Sequence, residues 1–266
     1  MLELHHNAAS TCSQKVRLVL AEKGLDYESH PVDLLAGEQH APDYVKLNPN
    51  HVVPTLVHDG RVYIESTLIN EYLDDAFPDR PMRPSDPGER HAMRMWTKRI
   101  DGEVHPMAGV ITFGIGARPL FLQSPPADIE ASLAAIPDPK YRARRKSVLE
   151  HGVHAPEMAE AMSAFVAMLN DMETSLTGGP WLAGNTLSLA DACVFPYVLR
   201  LDHLAMTPLL DAGMRPRVAD WWTRVQALPS FDAAVTRLLP AFVVDLFRSN
   251  GETVWGEIQE IVSRIG

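Results

Sequence analysis

The sequence predicts an α/β N-terminal half followed by an all-α C-terminal half, and three observations carry that reading. Through the first eighty residues, short extended runs alternate with helical patterns. Residues 77–88, FPDRPMRPSDPG, then place four prolines where any periodic structure would have to continue. Beyond them, apolar residues recur at helical spacing for most of the remaining chain. The expected division is therefore a first domain over 1–80, a linker over 81–88 and a helical domain over 89–266.

Taken in order, Leu2 to His6 reads as a strand, and Ser13 to Lys23 as a helix closed by Gly24. Asp26 to Val32 is a second strand, followed by a polar loop. Thr55-Leu56-Val57 and Arg61 to Ile64 flank Asp59-Gly60, the signature of a two-residue hairpin turn. Pro54 stands just before the first hairpin strand, where a cis bond would leave the N–H and C=O of Val53 free to pair with an extended peptide. Glu65-Ser66-Thr67 opens a helix in which Leu68, Ile69, Tyr72 and Leu73 share a face. Free N–H groups beside polar side chains at a helix start make a natural seat for a carboxylate. The resulting order, βαβ-α-ββα, is that of a thioredoxin-like domain.

In the second half, Met93, Met95, Trp96 and Ile100 mark a helix from Glu89 to about Val104. Met158, Met162, Phe165, Met168, Leu169 and Met172 form a core-facing stripe along Glu157 to Leu176. Ser188 and Asp191 are spaced as a capping box before the apolar run ACVFPYVLRL, and their expected job is folding.

Composition excludes several function classes. The formal net charge of −10 disfavours a nucleic-acid or anionic-membrane surface, each of which needs clustered cations. One basic run, KYRARRK at 140–146, reads as a solvated loop or helix face. Cys12 and Cys193 fall in different expected domains, so neither a disulfide framework nor a zinc site is expected. The eleven histidines are scattered without flanking Cys or carboxylate partners, and no metal is expected. The run MLELHH carries no leader pattern, which reads as cytoplasmic.

The ordered set Asn48-Pro49, Val53-Pro54, hairpin and Glu65-Ser66 resembles the glutathione-binding half of the glutathione transferases. The resemblance implies the glutathione transferase fold, with Val53 pairing through its backbone with the cysteinyl unit of glutathione. Glu65 and Ser66 would take the γ-glutamyl ammonium and carboxylate, and Gln39 the glycine carboxylate. Many relatives carry a lysine immediately before the Val-Pro; this chain has Val52, and His51 is the substitute donor. Trp181-Leu182-Ala183-Gly184 with Ser188 and Asp191 is similar to the family's C-terminal signature.

A glutathione transferase lowers the pKa of the glutathione thiol, because the thiolate is the nucleophile. A donor at the start of the first helix does this, and Ser10-Thr11-Cys12-Ser13 all stand at that junction. Resemblance to the zeta class, the maleylacetoacetate isomerases, and to theta-like members points to Ser10. The beta class has a Cys-Ser pair matching Cys12-Ser13 and the bacterial β-etherases an Asn-Ser pair there, so Ser13 and then Cys12 remain alternatives.

The text RPSDPGERHAMRMWTKRID and the insertion from Ile136 to Gly152 resemble the lignin β-etherase branch, in which glutathione thiolate displaces a phenol from carbon next to a ketone. The implied protein is a homodimeric transferase acting on a hydrophobic, aromatic electrophile. His105, Met107, Ile111 and Phe113 are candidates for the electrophile pocket, since the glycines and proline around them break the helix. The alternatives are a maleylacetoacetate-isomerase-like enzyme and a non-catalytic glutathione-binding protein. The side chains that choose the substrate vary freely on a common scaffold, so its identity is not read from sequence.

Overall fold

The structure, a computed structural model, describes residues 1–265. The chain begins β1 (Leu2–His6), α1 (Thr11–Lys23), β2 (Glu28–Pro31), α2 (Pro42–Leu47), β3 (Thr55–His58), β4 (Arg61–Tyr63) and α3 (Ser66–Ala76). These build one four-stranded sheet in the order β2-β1-β3-β4, with β1 parallel to β2 and antiparallel to β3. Along β1, Leu2, Leu4 and His6 are buried while Glu3 and His5 are half-buried, so the alternation of a strand decides which face meets the helices. Asp59 and Gly60 both have positive φ, 48° and 77°, as the tight hairpin requires.

Two expected boundaries shift. Helix α1 starts at Thr11 rather than Ser13, because the Ser10 side chain accepts from Ser13 N–H and acts as the N-cap. Strand β2 is shorter than Asp26 to Val32, since only Glu28–Pro31 pairs with β1.

The helical part comprises α4 (Pro87–Arg99), α5 (His105–Ile111), α6 (Arg118–Phe121), α7 (Pro126–Ala134), α8 (Pro139–His151), α9 (Pro156–Ser175), α10 (Leu189–His203), α11 (Pro216–Gln226), α12 (Pro229–Phe231) and α13 (Ala241–Ser263). Wide π-type turns at Ile100–Val104 and Thr112–Ala117 link α4, α5 and α6. Among the described residues, no helix is long and apolar enough to cross a membrane.

Two compact units emerge, and they do not follow the sequence division. One holds residues 1–98 with 176–196 and 221–240; the other holds 99–175, 197–220 and the described residues from 241 on. In the first, Lys23 Nζ meets Asp74 Oδ1 at 2.8 Å with both side chains almost wholly buried. Burial would push the Asp74 carboxyl up, but hydrogen bonds from Lys23, Met82 N–H and Arg83 outweigh it and hold it below the usual range. The expected capping box also forms in this unit. Asp191 Oδ2 accepts from Ser188 N–H at 3.0 Å, while the Ser188 hydroxyl accepts from Ala190 N–H, two residues on rather than three.

In the second unit, α9 buries its methionine stripe and packs on α5. Gly251 of α13 lies against Leu204, where a Cβ would come within 1.9 Å of the carbonyl oxygen, so this crossing admits only glycine. The basic run at 140–146 forms a face of α8, with Lys140, Tyr141, Ala143 and Lys146 exposed as expected and the arginines half-buried. Arg145 lies with its guanidinium 3.2 Å from the centre of the Phe113 ring, and Arg144 donates to Pro106 O. Burial lowers the Arg145 guanidinium to about 10, which leaves it cationic at neutral pH. The spacing Tyr141, Arg144, Arg145, Val148 is one helical face, and that was the signal in the sequence.

His203, at the end of α10, is 6% exposed, and burial first, then Arg200 and Arg248, lower it to about 3. An unfolded histidine titrates near ~6.5. The folded protein therefore stays unprotonated here while the unfolded chain gains a proton, and stability is lost as pH falls from the unfolded value towards the folded one. Urea unfolding is expected to lose about 3 kcal/mol from this group by about pH 4. In His203→Gln that part of the slope disappears; an unchanged slope would exclude His203 as its source.

Candidate active site

The turn between β1 and α1 is built by buried Arg17. Its guanidinium donates to Asn7 O at 2.9 Å, Ala8 O at 2.8 Å and Ala234 O at 2.7 Å, and Nη1 lies 3.0 Å from His6 Nδ1. This fixes the backbone that delivers Ser10. The Ser10 oxygen accepts from Ser13 N–H at 3.2 Å, so its own proton remains available for donation, at the positive end of the α1 dipole. Ser13 is 0% exposed and its hydroxyl accepts from Asn7 N–H. Cys12 is half-buried and in no disulfide.

The peptide bond Val53-Pro54 is cis. Neither the N–H nor the C=O of Val53 is paired among the described residues. The preceding carbonyl, Val52 O, is held instead by Tyr44 Oη at 2.6 Å and Asn48 Nδ2 at 2.8 Å, and both of those groups also reach Thr55 Oγ1. A rigid frame thus presents an unpaired donor and acceptor on the next residue. Val52, which stands where many relatives have lysine, is exposed.

Glu65 has φ 68° and is exposed, and its side chain makes no capping bond to α3; Asn50 Nδ2 donates to it at 3.2 Å. Ser66 is buried in the first turn of α3. The Glu65 side chain is therefore not spent on capping α3.

Gln39 and His51 are joined through His40. Gln39 Nε2 lies 3.1 Å from His40 Nε2, and His40 Nδ1 lies 3.0 Å from His51 Nδ1. An amide nitrogen only donates, so His40 Nε2 accepts and its proton sits on Nδ1. His51 Nδ1 then accepts in turn, which leaves the His51 Nε2–H directed elsewhere as a donor. Burial, with His51 second, lowers the His40 pKa and favours this neutral arrangement. Sequence reading missed His40 and Tyr44, whose roles come from tertiary contacts.

Of the residues expected around the electrophile, Met107, Ile111 and Phe113 are buried in the helical unit. His105 is exposed, with Nδ1 3.1 Å from Tyr197 Oη. Phe113 lines a small cleft with Gly109, Val110, Tyr141, Arg145 and Val148.

A small mixed sheet with a cis X-Pro before its hairpin, joined in sequence to a helical part, defines a class: the chain belongs to the glutathione S-transferase family. The model of the family's N-terminal domain matches residues 9–76, and that of its C-terminal domain residues 131–229. The chain falls in the β-etherase branch. It is 30% identical over 236 residues to Protein LigF of Sphingobium sp. (strain NBRC 103272 / SYK-6), covering 86% of this chain and 91% of the relative. The crystal structure of β-etherase LigF superposes with a TM-score of 0.79 at 28% identity, over 88% of this chain and 98% of the other.

Two further relatives widen the comparison. Tetrachloro-p-hydroquinone reductive dehalogenase of Sphingobium chlorophenolicum is 32% identical over 248 residues, 90% of this chain and 96% of that protein. A maleylacetoacetate isomerase from Methylobacterium extorquens AM1, solved with bound malonate and glutathione, is 26% identical with a TM-score of 0.65, over 90% of this chain and 98% of that one. The chain is an enzyme, and glutathione is its co-substrate.

Proposed function

We propose that this enzyme ionises the glutathione thiol at Ser10 and directs the thiolate at a hydrophobic aromatic electrophile, in the manner of β-aryl ether cleavage. The observation that carries the reading is the Ser10 hydroxyl: it caps α1 as an acceptor, keeps its proton to donate, and is fixed in place by Arg17. Ser13 also accepts through its oxygen but is 0% exposed, whereas Ser10 is half-buried, which favours Ser10 as the group that reaches a bound thiol. In the reaction the sulfur forms a bond to the carbon beside the ketone, the carbon–oxygen bond breaks, and the phenolate leaves with the electron pair and takes a proton from water. The adjacent ketone activates the carbon, so the protein supplies thiolate, orientation and a dry pocket.

Val53, Glu65, Ser66 and the Gln39–His40–His51 chain are read as the glutathione seat. Glu65→Ala and Ser66→Ala are each expected to weaken glutathione binding by roughly 1.5 to 3 kcal/mol, the range for a hydrogen bond to a charged group. Calorimetry giving unchanged affinity in both variants would remove this assignment. His105, Met107, Ile111 and Phe113 are kept as the candidates for contacts with the electrophile.

A second reading, glutathione-dependent isomerisation, is favoured by the similarity to maleylacetoacetate isomerases and by the Ser10-Thr11-Cys12 run. Turnover of β-aryl ether ketones, chlorodinitrobenzene and maleylacetone, with glutathione followed separately from product, distinguishes the two. Net glutathione consumption with release of a phenol supports ether cleavage. Turnover of maleylacetone alone, with glutathione returned, overturns it.

A cytoplasmic homodimer completes the proposal. Leu68, one turn from Glu71, and Met95, beside Arg94, remain exposed at 62% and 52% around the Glu71–Arg94 ion pair. Apolar side chains around a paired charge suit a contact with a second copy. Sedimentation is expected to give a dimer at micromolar concentration, and Leu68→Glu a monomer; a monomeric parent protein would contradict this.

A further inference from the structure

The sequences Glu3-Leu4-His5 and Glu28-Ser29-His30 repeat one pattern on two strands, and the parallel register sets Glu3 beside Glu28 and His5 beside His30. Because side chains alternate along a strand, all four project from the same face of the β1–β2 pair. His30 therefore does have carboxylate neighbours, Glu28 on its own strand and Glu3 across the sheet. This corrects the expectation drawn from the spacing of the histidines. His30 Nε2 lies 3.5 Å from Glu3 Oε2 and 3.4 Å from Glu28 Oε1, yet it is a buried atom with no hydrogen-bond partner. The imidazole of His5 stacks on that of His30 with centroids 4.6 Å apart, and its edge faces Tyr44. One donor atom from each of Glu3, His5 and His30 falls within 4.8 Å of the others.

We propose that Glu3, His5 and His30 form a binding site for a divalent ion of the zinc class. Two imidazole nitrogens and one carboxylate oxygen are the donor set such an ion prefers, with a fourth position for Glu28 or water. A tetrahedral ion with bonds of about 2.0 to 2.2 Å needs donors somewhat closer than they stand, and small side-chain rotations at half-buried positions supply that movement. A plain ion-pair cluster would have His30 hydrogen-bonded to one of the two carboxylates, and it is bonded to neither. Strand β2 is the edge of the sheet and only four residues long, so an ion shared between β1 and β2 would fasten the edge strand to the centre.

The test uses the full-length protein, stripped of metal and free of glutathione, whose thiol would compete for the ion. Zinc titration by calorimetry is expected to show one saturable ion per chain and a rise in melting temperature on binding. His5→Ala and His30→Ala should each lower the affinity about tenfold or more, whereas His154→Ala, which breaks an exposed His–Glu pair elsewhere, should leave it unchanged. Cobalt as a probe should give the visible bands of a site with nitrogen ligands, lost in both variants. Glutathione affinity, held at the parent value, certifies that the variants are folded. Absence of saturable zinc binding, or binding unaltered in His5→Ala and His30→Ala, would overturn the proposal.

Discussion

Ser10→Ala is expected to raise the pKa of enzyme-bound glutathione by about one to two units, and to lower turnover near neutral pH by roughly ten- to a hundredfold. Glutathione affinity should change little, because the contacts proposed for its carboxylate and ammonium involve other residues. The reasoning runs from the proton: the Ser10 oxygen already accepts from Ser13 N–H, so its remaining polar function is donation. Alanine also removes the helix cap, at about 1 kcal/mol of stability. Ser10→Gly separates the two effects, since glycine at this position costs only a few tenths of a kcal/mol yet still lacks the donor. If capping were the whole role of Ser10, the glycine variant would keep its activity. Thiolate absorbance of the complex, titrated in Ser10→Ala, Cys12→Ala and Ser13→Ala, assigns the activating group. A shift confined to the Ser13 variant would replace Ser10 by Ser13, and no shift in any variant would leave backbone N–H groups and the helix dipole as the source.

The fold was legible because its signals are local. Asp59-Gly60 between two β-branched runs, Gly24 after a helix, and Ser188 three residues before Asp191 each state their geometry within a few residues. The seat proposed for glutathione rests on signals just as local, since Val53-Pro54 and Glu65-Ser66 lie within one hairpin and the helix that follows it. What the sequence hid depends on distant partners. Arg17 reads as an ordinary charged helix residue until its contact with Ala234, across more than two hundred residues, shows it buried beneath the Ser10 turn. Glu3, His5 and His30 meet only once the strand register is known. The two compact units cut α10 and the α4–α5 rod because helices are continuous in sequence while packing is not, so a linker found by its prolines need not mark where contacts divide.

The largest stability effect is expected at Asp191, which is 0% exposed and accepts four hydrogen bonds. Leu182 N–H and Trp221 Nε1 donate to Oδ1 at 3.0 and 2.9 Å, and Ser188 N–H and its hydroxyl donate to Oδ2, each at 3.0 Å. Burial, the dominant influence, holds this carboxyl above its usual range in spite of those donors, so the site tolerates the acid only because they are present. Alanine would leave the indole N–H and two backbone N–H groups dry and unpaired. Each such group costs about 1 to 3 kcal/mol, and partial relaxation brings the sum to about 3 to 5 kcal/mol. Asp191→Asn keeps the shape and the oxygen that serves Leu182 and Trp221, but turns an amide N–H₂ towards the two Ser188 donors, so it should fall between alanine and the parent. Chemical denaturation followed by tryptophan fluorescence reads both variants, since Trp221 is itself a partner. Glutathione affinity of the folded fraction should stay near the parent value, because Asp191 fixes the start of α10 and touches no part of the proposed seat. An Asp191→Ala protein within about 1 kcal/mol of the parent would mean that water reaches these donors, and that the buried carboxylate is not what fastens residues 182–191 to Trp221.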